Sequence, residues 1–233
     1  NLNYVLYTDE SPYKMQREWL DRLPFDIYSV NVHTGAKRLI GRSYRTAPKW
    51  SVNGKWAVMY DPIAQVWNKF DGATGKVVNI SDAIGYPMFV ESYDKPAPAP
   101  AYGIAGWTAD GNNVFLYDAY DWWKIDLTGE RQPECLTKGY GRKHGKSIRK
   151  MTSNIDKDVF QKDEKVIVSL WDKDTMDEGV YQLDMKGRLR KLMEGNYVYT
   201  IHRFSDNHEY CVWNRQNVSE FRDLWWSKSD FSN

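Results

Sequence analysis

Two short sequence phrases recur along this chain of 233 residues, and their spacing constrains the fold more than any other feature. The first phrase places an aromatic and a hydroxyl residue before an Asn or Asp turn, which is followed by an apolar strand. It occurs at residues 49–60 and 106–117, more weakly at 203–213, and in degraded form at 159–170. Asn-Gly and Asp-Gly supply the positive φ angles that tight hairpins require. Each copy therefore predicts two strands joined by a tight turn.

The second phrase is an alternating strand, a glycine turn and a short apolar strand. Its turn glycines are Gly35, Gly75, Gly129 and Gly187, which lie 40, 54 and 58 residues apart. A period of this size in an all-β chain is typical of four-stranded propeller blades. The sequence therefore predicts a β-propeller of about five four-stranded blades, either a closed ring or an arc of a larger propeller. The approximate blades are residues 1–43, 44–98, 99–145, 146–195 and 196–233.

A β-sandwich is the alternative fold, but its strands usually follow one another every 8 to 12 residues without self-similarity over 50 residues. The chain opens in a strand-like run at residues 1–7, so we expect an innermost strand and any targeting segment to lie upstream. It ends at residues 224–233, before the expected outer strand of the last blade. Residues 12–20 depart from the repeat and predict a short helix in a loop, with Met15, Trp19 and Leu20 on one face.

Composition excludes several classes of function. The 32 Lys and Arg residues nearly balance 31 Asp and Glu residues, so a broad positive field for nucleic acid or an anionic membrane is absent. No apolar run approaches the roughly 20 residues that span a bilayer. Cys135 and Cys211 are far apart and lack the spacing of a zinc or redox motif. Aromatic residues make up 15% of the chain, which suits packed strands.

No catalytic motif is present. A serine hydrolase places its nucleophile in Gly-x-Ser-x-Gly, whereas Ser43 and Ser147 follow a glycine but lack the second one. We interpret both as turn hydroxyls. The chain has four histidines, His33, His144, His202 and His208. Their spacing lacks the pairs that are typical of a metal site. We therefore predict no catalytic, cofactor-binding or metal-binding residue in this chain, and no cofactor.

Three kinds of feature allow both a purely structural and a functional interpretation. The acidic cluster at 172–178 offers oxygen ligands for calcium, but it lacks the glycine and terminal Glu of a calcium-binding hand, which favours a solvated loop. Residues 96–100 alternate Pro and Ala, which predicts an extended connector between blades, or else a proline-rich ligand. The aromatic residues best explained by packing rather than by ligand stacking are Tyr120, Trp122, Trp123, Trp225 and Trp226.

Residues 91–96, 102–108 and 117–123 resemble the propeller of bacterial prolyl oligopeptidase-family serine peptidases, and the likeness is closest to large secreted, dipeptidyl peptidase IV-like members. Residues 139–142 and 223–225 fit the same pattern. The resemblance implies a separate C-terminal α/β-hydrolase domain that carries the Ser-Asp-His triad, none of which lies in this sequence. It also implies that the propeller covers the active site and admits only short peptides, and that the protein is periplasmic or secreted.

Dipeptidyl peptidases of that family bind the substrate amine through two neighbouring glutamates. No Glu-Glu pair occurs here, and Glu18 in the predicted helix is a single carboxylate, so the resemblance does not extend to this role. The functional hypothesis is a noncatalytic propeller that gates and selects peptides for a hydrolase domain of the same polypeptide. The alternative is a free-standing propeller that binds a protein or peptide. An independent propeller enzyme ranks third, because no carboxylates or histidines converge in the sequence.

Overall fold

The structure is a computed structural model that describes residues 3–20, 22–151, 158–207 and 209–231. It contains one 3₁₀ helix, Ser11–Gln16, and one short helix, α1, Tyr140–Lys143, within these residues. The first eleven strands are β1 (Tyr4–Asp9), β2 (Phe25–Asn31), β3 (Lys37–Tyr44), β4 (Lys49–Trp50), β5 (Trp56–Asp61), β6 (Val66–Asp71), β7 (Val77–Asn79), β8 (Ile104–Thr108), β9 (Asn113–Tyr117), β10 (Trp122–Asp126) and β11 (Glu134–Cys135). The remaining strands are β12 (Lys146–Lys150), β13 (Val159–Phe160), β14 (Lys165–Asp172), β15 (Glu178–Asp184), β16 (Leu189–Gly195), β17 (Val198–Phe204), β18 (Tyr210–Gln216) and β19 (Asp223–Lys228).

The described strands form five sheets. Their strand orders are β1-β2-β3, β4-β5-β6-β7, β11-β10-β9-β8-β13, β12-β14-β15-β16 and β17-β18-β19. Neighbouring strands within the first two sheets and the last two run antiparallel. The predicted fold class, an all-β propeller built from sheets of about four strands, is confirmed. No helix in the described ranges has the length and hydropathy of a membrane span.

The chain divides into two compact units, each with its own core. Unit 1 comprises residues 1–103, 107–114 and 125–133, and unit 2 comprises residues 104–106, 115–124 and 134–233. A core cluster of unit 1 contains Ile27, Tyr44, Ala57, Met59 and Phe70. A core cluster of unit 2 contains Val180, Tyr199, Ile201, Cys211 and Trp213. Both clusters combine inward-facing residues of neighbouring sheets, which is how stacked blades bury their faces.

The hydroxyl residue of the first repeat phrase has a structural role in the turn. Ser51 Oγ accepts the backbone N–H of Trp56 at 3.1 Å and lies 2.8 Å from Asn53 Oδ1. Thr108 and Ser205 accept the N–H of the residue five positions later in the same way, both at 3.0 Å. The hydroxyl thus satisfies the first amide of the outgoing strand, which a tight turn leaves without a ladder partner.

The degraded copy of this phrase at residues 159–170 forms a turn but not a hairpin. Glu164 N–H donates to the Gln161 carbonyl at 3.1 Å, as a turn requires. The flanking strands belong to different sheets, because β14 pairs with β12, whereas β13 lies beside β8. Gly106 in β8 permits this arrangement, since a Cβ there would lie 2.6 Å from the Phe160 ring.

The helix predicted at residues 12–20 is shorter than expected. The 3₁₀ helix ends at Gln16, so Trp19 and Leu20 lie beyond it. A 3₁₀ helix rarely continues past a few residues, because its hydrogen-bond geometry is poor. Met15 is 89% exposed and Trp19 is 82% exposed, so the predicted apolar face does not pack into the core.

Candidate functional site

The connections at one end of the first two sheets form the candidate site, and all of them belong to unit 1. Strands that run antiparallel in chain order place alternate connections at opposite ends of a sheet. The β1–β2, β3–β4 and β5–β6 connections therefore lie at the same end, as does the start of the β7–β8 connection. The β7–β8 connection, residues 80–103, is the longest of them and contains the Pro-Ala segment.

A cavity of about 300 Å³ opens among these connections. It is lined by Arg22, Arg45, Thr46, Tyr60, Pro62, Tyr93, Pro98 and Pro100. Two guanidinium groups thus share one small cavity with two phenol rings and three proline rings, and none of the eight residues is acidic. Such a mixture of apolar walls with a few polar groups is typical of sites for small ligands and peptide ends.

The β1–β2 connection that carries Arg22 is fixed to its sheet. Tyr13 in the 3₁₀ helix donates its hydroxyl to Asp26 Oδ1 at 2.5 Å, and the Ser43 amide donates to the same oxygen at 3.1 Å. Asp26 is buried in β2. Burial and the Asp26 carboxylate raise the pKa of Tyr13, so the phenol stays a donor. The exposed Met15 and Trp19 are therefore held outward by an anchored connection.

Tyr60 joins the cavity to the Pro-Ala segment. Its hydroxyl donates to the Ala99 carbonyl at 3.1 Å, and its ring packs against Trp67 with the centroids 5.4 Å apart. Burial, with the Asp61 charge nearby, raises the pKa of Tyr60 to about 12, so this phenol is protonated at neutral pH. The segment at 96–100 thus connects the second and third sheets, as the sequence predicted. It also lines the cavity, which the sequence did not predict.

Unit 2 contains a buried pair of carboxylates in the segment that resembles the peptidase propellers. Asp118 Oδ1 accepts the amides of Tyr120 and Asp121 at 2.7 and 2.6 Å. Asp118 Oδ2 accepts Trp123 Nε1 at 3.1 Å and Arg142 Nη2 at 3.0 Å. Asp118 has no exposed surface, and the ion pair with Arg142 is therefore mostly removed from water.

Asp121 fixes the connection that contains α1. Its carboxylate accepts the Thr137 hydroxyl at 2.6 Å, the Gly141 amide at 2.9 Å and the Arg142 amide at 3.0 Å. Charge-assisted bonds of this kind are about twice as strong as neutral ones. Both carboxylate oxygens of Asp121 are buried and accept hydrogen bonds, as do those of Asp118. The Asp118 and Asp121 carboxylates therefore stabilise the fold and have no free oxygen for a substrate.

The serines and histidines considered as catalytic candidates belong to different elements of the chain. Ser43 sits in β3 at φ 57°, where its amide donates to Asp26, and Ser147 is buried in β12. His33 is in the exposed β2–β3 turn, His144 stacks on Tyr140, and His202 contacts Asn214 at 2.6 Å. His208 lies outside the described residues. Glu18 is exposed in the β1–β2 connection.

The acidic cluster at 172–178 contains a turn that recurs elsewhere in the chain. Asp172 Oδ1 accepts the amides of Asp174 and Thr175 at 2.9 and 3.1 Å, and these bonds lower the pKa of Asp172. Asp61 and Asp71 accept the amides two and three residues later in the same way. Among the described residues, no group of three or more His, Cys, Asp or Glu is arranged to hold a metal ion.

The aromatic candidates divide between core and surface. Trp122 is fully buried, and Trp123 is partly buried against Asp118. Tyr120 lies beneath two cations, with Lys173 Nζ 4.0 Å and Arg142 Cζ 5.0 Å from its ring centroid. Trp225 stacks on Trp213, whereas Trp226 is 73% exposed. The predicted explanation by packing thus holds for Trp225 and Trp226 only in part, since Trp225 is 43% exposed.

Sequence reasoning missed the cavity and the repeated Asp turns. The turns leave a partial signal, an Asp or Asn at the end of a strand and a residue with positive φ four positions later, which is Gly35 after Asn31 and Gly75 after Asp71 but Met176 after Asp172. The cavity leaves no comparable signal, because its eight lining residues are spread over residues 22–100. Their convergence depends on the register of two sheets and on the path of the β7–β8 connection.

No family model and no curated protein matches the chain. Among solved structures, it is similar to TolB from Acinetobacter baumannii, with 15% identity and a TM-score of 0.47 over 98% of this chain and 50% of that chain. It is also similar to a prolyl endopeptidase, with 11% identity and a TM-score of 0.49 over 89% of this chain and 31% of that chain. A third similar structure is an acylaminoacyl peptidase in complex with Z-Gly-Gly-Phe-chloromethyl ketone, with 12% identity and a TM-score of 0.44 over 88% of this chain and 29% of that chain. The chain spans about half the length of the TolB chain and under a third of either peptidase chain. Identities this low say nothing about what the chain binds.

Proposed function

We propose that this chain is the noncatalytic propeller region of a dipeptidyl peptidase IV-like serine peptidase of the prolyl oligopeptidase family. In this proposal it binds and selects peptides for a C-terminal α/β-hydrolase domain of the same polypeptide, in the periplasm or outside the cell. The observation that carries the proposal is the cavity of arginine, tyrosine and proline residues at the connection end of unit 1. Peptides present carbonyl and carboxylate oxygens together with apolar side chains, and this lining complements both.

The chemistry of the described residues supports a binding role. Asp118 and Asp121 are buried in unit 2, and both are occupied by structural hydrogen bonds. The described serine and histidine candidates lie in separate turns and strands, and no hydrogen bond joins a serine to a histidine among them. Selection by this chain therefore acts through binding and steric exclusion.

The alternative, a free-standing propeller that binds a protein partner, is favoured by the exposed apolar side chains of Met15 and Trp19. Large apolar groups held outward on an anchored connection are typical of protein-binding surfaces. In a peptidase the same groups would face the hydrolase domain. Both interpretations therefore include a protein contact at this end of unit 1, and they differ in whether the partner is part of the same polypeptide.

We expect the purified chain to bind short unstructured peptides without cleaving them. Fluorescence anisotropy of labelled peptides measures binding, and mass spectrometry of the same samples measures cleavage. The expected result is a saturable rise in anisotropy with intact peptide recovered after prolonged incubation. Because the cavity is small and lies among connections, a folded protein of similar charge should not compete with the peptide.

Two results would count against this proposal. If no peptide in a varied panel raised the anisotropy, peptide selection by this chain would be wrong. If aminoacyl or dipeptidyl chromogenic substrates were turned over by rigorously purified chain, its noncatalytic role would be wrong. A heat-unfolded sample serves as the control for nonspecific binding.

A further inference from the structure

The cavity in unit 1 contains an arginine, Arg22, that can contact a ligand. The guanidinium groups of Arg22 and Arg45 line it, and none of the eight described lining residues is acidic. Asp61 lies between the lining residues Tyr60 and Pro62, and its Oδ1 accepts the amides of Ile63 and Ala64 while its Oδ2 accepts the Tyr44 hydroxyl.

Arg22 has donors available for a ligand. Its Nη1 donates to the Arg45 carbonyl at 3.4 Å, which is longer than a typical N–H···O bond. In the described part of the chain, Arg22 has no carboxylate partner. A guanidinium presents five N–H donors in a plane, and two of them match the two oxygens of a carboxylate. Arg22 is therefore suited to bind a carboxylate that enters the cavity.

The remaining walls define what accompanies the carboxylate. Tyr60 donates its hydroxyl to Ala99, so it contributes mainly its ring. Pro62, Pro98 and Pro100 have no backbone N–H and contribute apolar rings. A volume of about 300 Å³ is at the lower end for ligand sites, which fits the end of a peptide rather than a long segment.

From these features we infer that the cavity binds the C-terminal carboxylate of a peptide, with Arg22 as its main contact. The last side chain of the peptide packs on the tyrosine and proline rings. This inference rests on the proposed function, because it names which part of a peptide the site recognises. A terminal carboxylate and an Asp or Glu side chain share the same chemistry, so the experiment must separate these two sources.

The experiment compares three N-acetylated, fluorescently labelled peptides of otherwise identical sequence, using the whole chain at low salt. One peptide has a free C-terminus, one has a C-terminal amide, and one has the amide and an internal Asp. We expect the peptide with a free C-terminus to bind at least about tenfold more tightly than either amidated peptide, because a charge-assisted, hydrogen-bonded ion pair contributes at least that factor to the affinity. Inorganic phosphate is included as a competitor and should be far weaker than the peptide acid.

Arg22→Gln should lower the affinity for the free acid to that of the amide and leave the affinity for the amide unchanged. Arg17→Gln is the matched control, because Arg17 is exposed in the same connection but does not line the cavity. Arg17→Gln should keep the tenfold preference. Urea unfolding midpoints of both variants should equal that of the parent chain, since both side chains are exposed.

Each other outcome overturns a defined part of the inference. Equal binding of acid and amide would reject carboxylate recognition while leaving peptide binding intact. Equal binding of the internal Asp peptide would reject the terminal carboxylate as the ligand, and equal competition by phosphate would identify a general anion site instead. Loss of the preference in Arg17→Gln would reject Arg22 as the contact. Failure of all three peptides to bind would also reject the proposed function.

Discussion

Trp122→Ala should destabilise the protein by about 3–5 kcal/mol, the range for truncating a fully buried large aromatic residue. The Trp122 side chain is 0% exposed and packs against Tyr117 and Phe160, with centroid distances of 5.3 and 6.1 Å. Its Nε1 donates to the Ile148 carbonyl at 3.1 Å, so truncation leaves both a cavity and a buried carbonyl without this donor.

The matched control for this substitution is Trp226→Ala. Trp226 is 73% exposed, so the same change in side chain should alter the free energy of unfolding by less than about 0.5 kcal/mol. Urea unfolding followed by far-ultraviolet circular dichroism measures both values. Trp122→Phe should fall between them, because it keeps most of the ring but not the indole N–H. Equal effects of Trp122→Ala and Trp226→Ala would show that Trp122 is not at the centre of a packed core.

Asp121→Ala should destabilise the protein by a similar amount, about 3–5 kcal/mol, for a different reason. The substitution removes three hydrogen bonds to one buried carboxylate and leaves the Gly141 and Arg142 amides without an acceptor. Removing one partner from a buried charged network usually costs this much, because the remaining polar groups stay buried. We also expect earlier proteolysis in the connection that contains α1, since Asp121 fixes its first turn.

Asp174→Ala provides the control for the loss of a carboxylate. Asp174 is exposed in the β14–β15 turn, and the structure shows only its backbone amide donating to Asp172. Its replacement should change the free energy of unfolding by less than about 0.5 kcal/mol. Asp121→Asn keeps one carbonyl acceptor and should lose less stability than Asp121→Ala. An Asp121→Ala protein with an unchanged unfolding midpoint would contradict the structural role of the carboxylate pair.

The repeat phrases predicted the sheets because their chemistry is local. Asn53-Gly54 and Asp110-Gly111 dictate tight turns, and the hydroxyls of Ser51 and Thr108 complete them within five residues. The degraded copy at 159–170 was misleading, since the partner of β13 is decided by the open edge of β8 beside Gly106, far away in sequence. Local patterns specify turns well and the pairing of short edge strands poorly.

The candidate site could not be predicted in the same way. Arg22, Tyr60 and Pro98 carry no shared motif, and each residue alone fits an ordinary loop or strand. They meet because Tyr13 ties the β1–β2 connection to Asp26 and because Tyr60 ties the Pro-Ala segment to β5. Both ties are side-chain contacts between separate elements. A sequence pattern of period 2 predicts which face of a strand is buried, but it does not predict such contacts.

Reading the coding sequence downstream of Asn233 tests the proposal that this chain selects peptides for a hydrolase domain on the same polypeptide. We expect the reading frame to continue into further β-strands and then into an α/β-hydrolase domain with Gly-x-Ser-x-Gly followed by Asp and His. A stop codon soon after one more strand would contradict it, and the chain would then be a free-standing propeller with a separate binding partner.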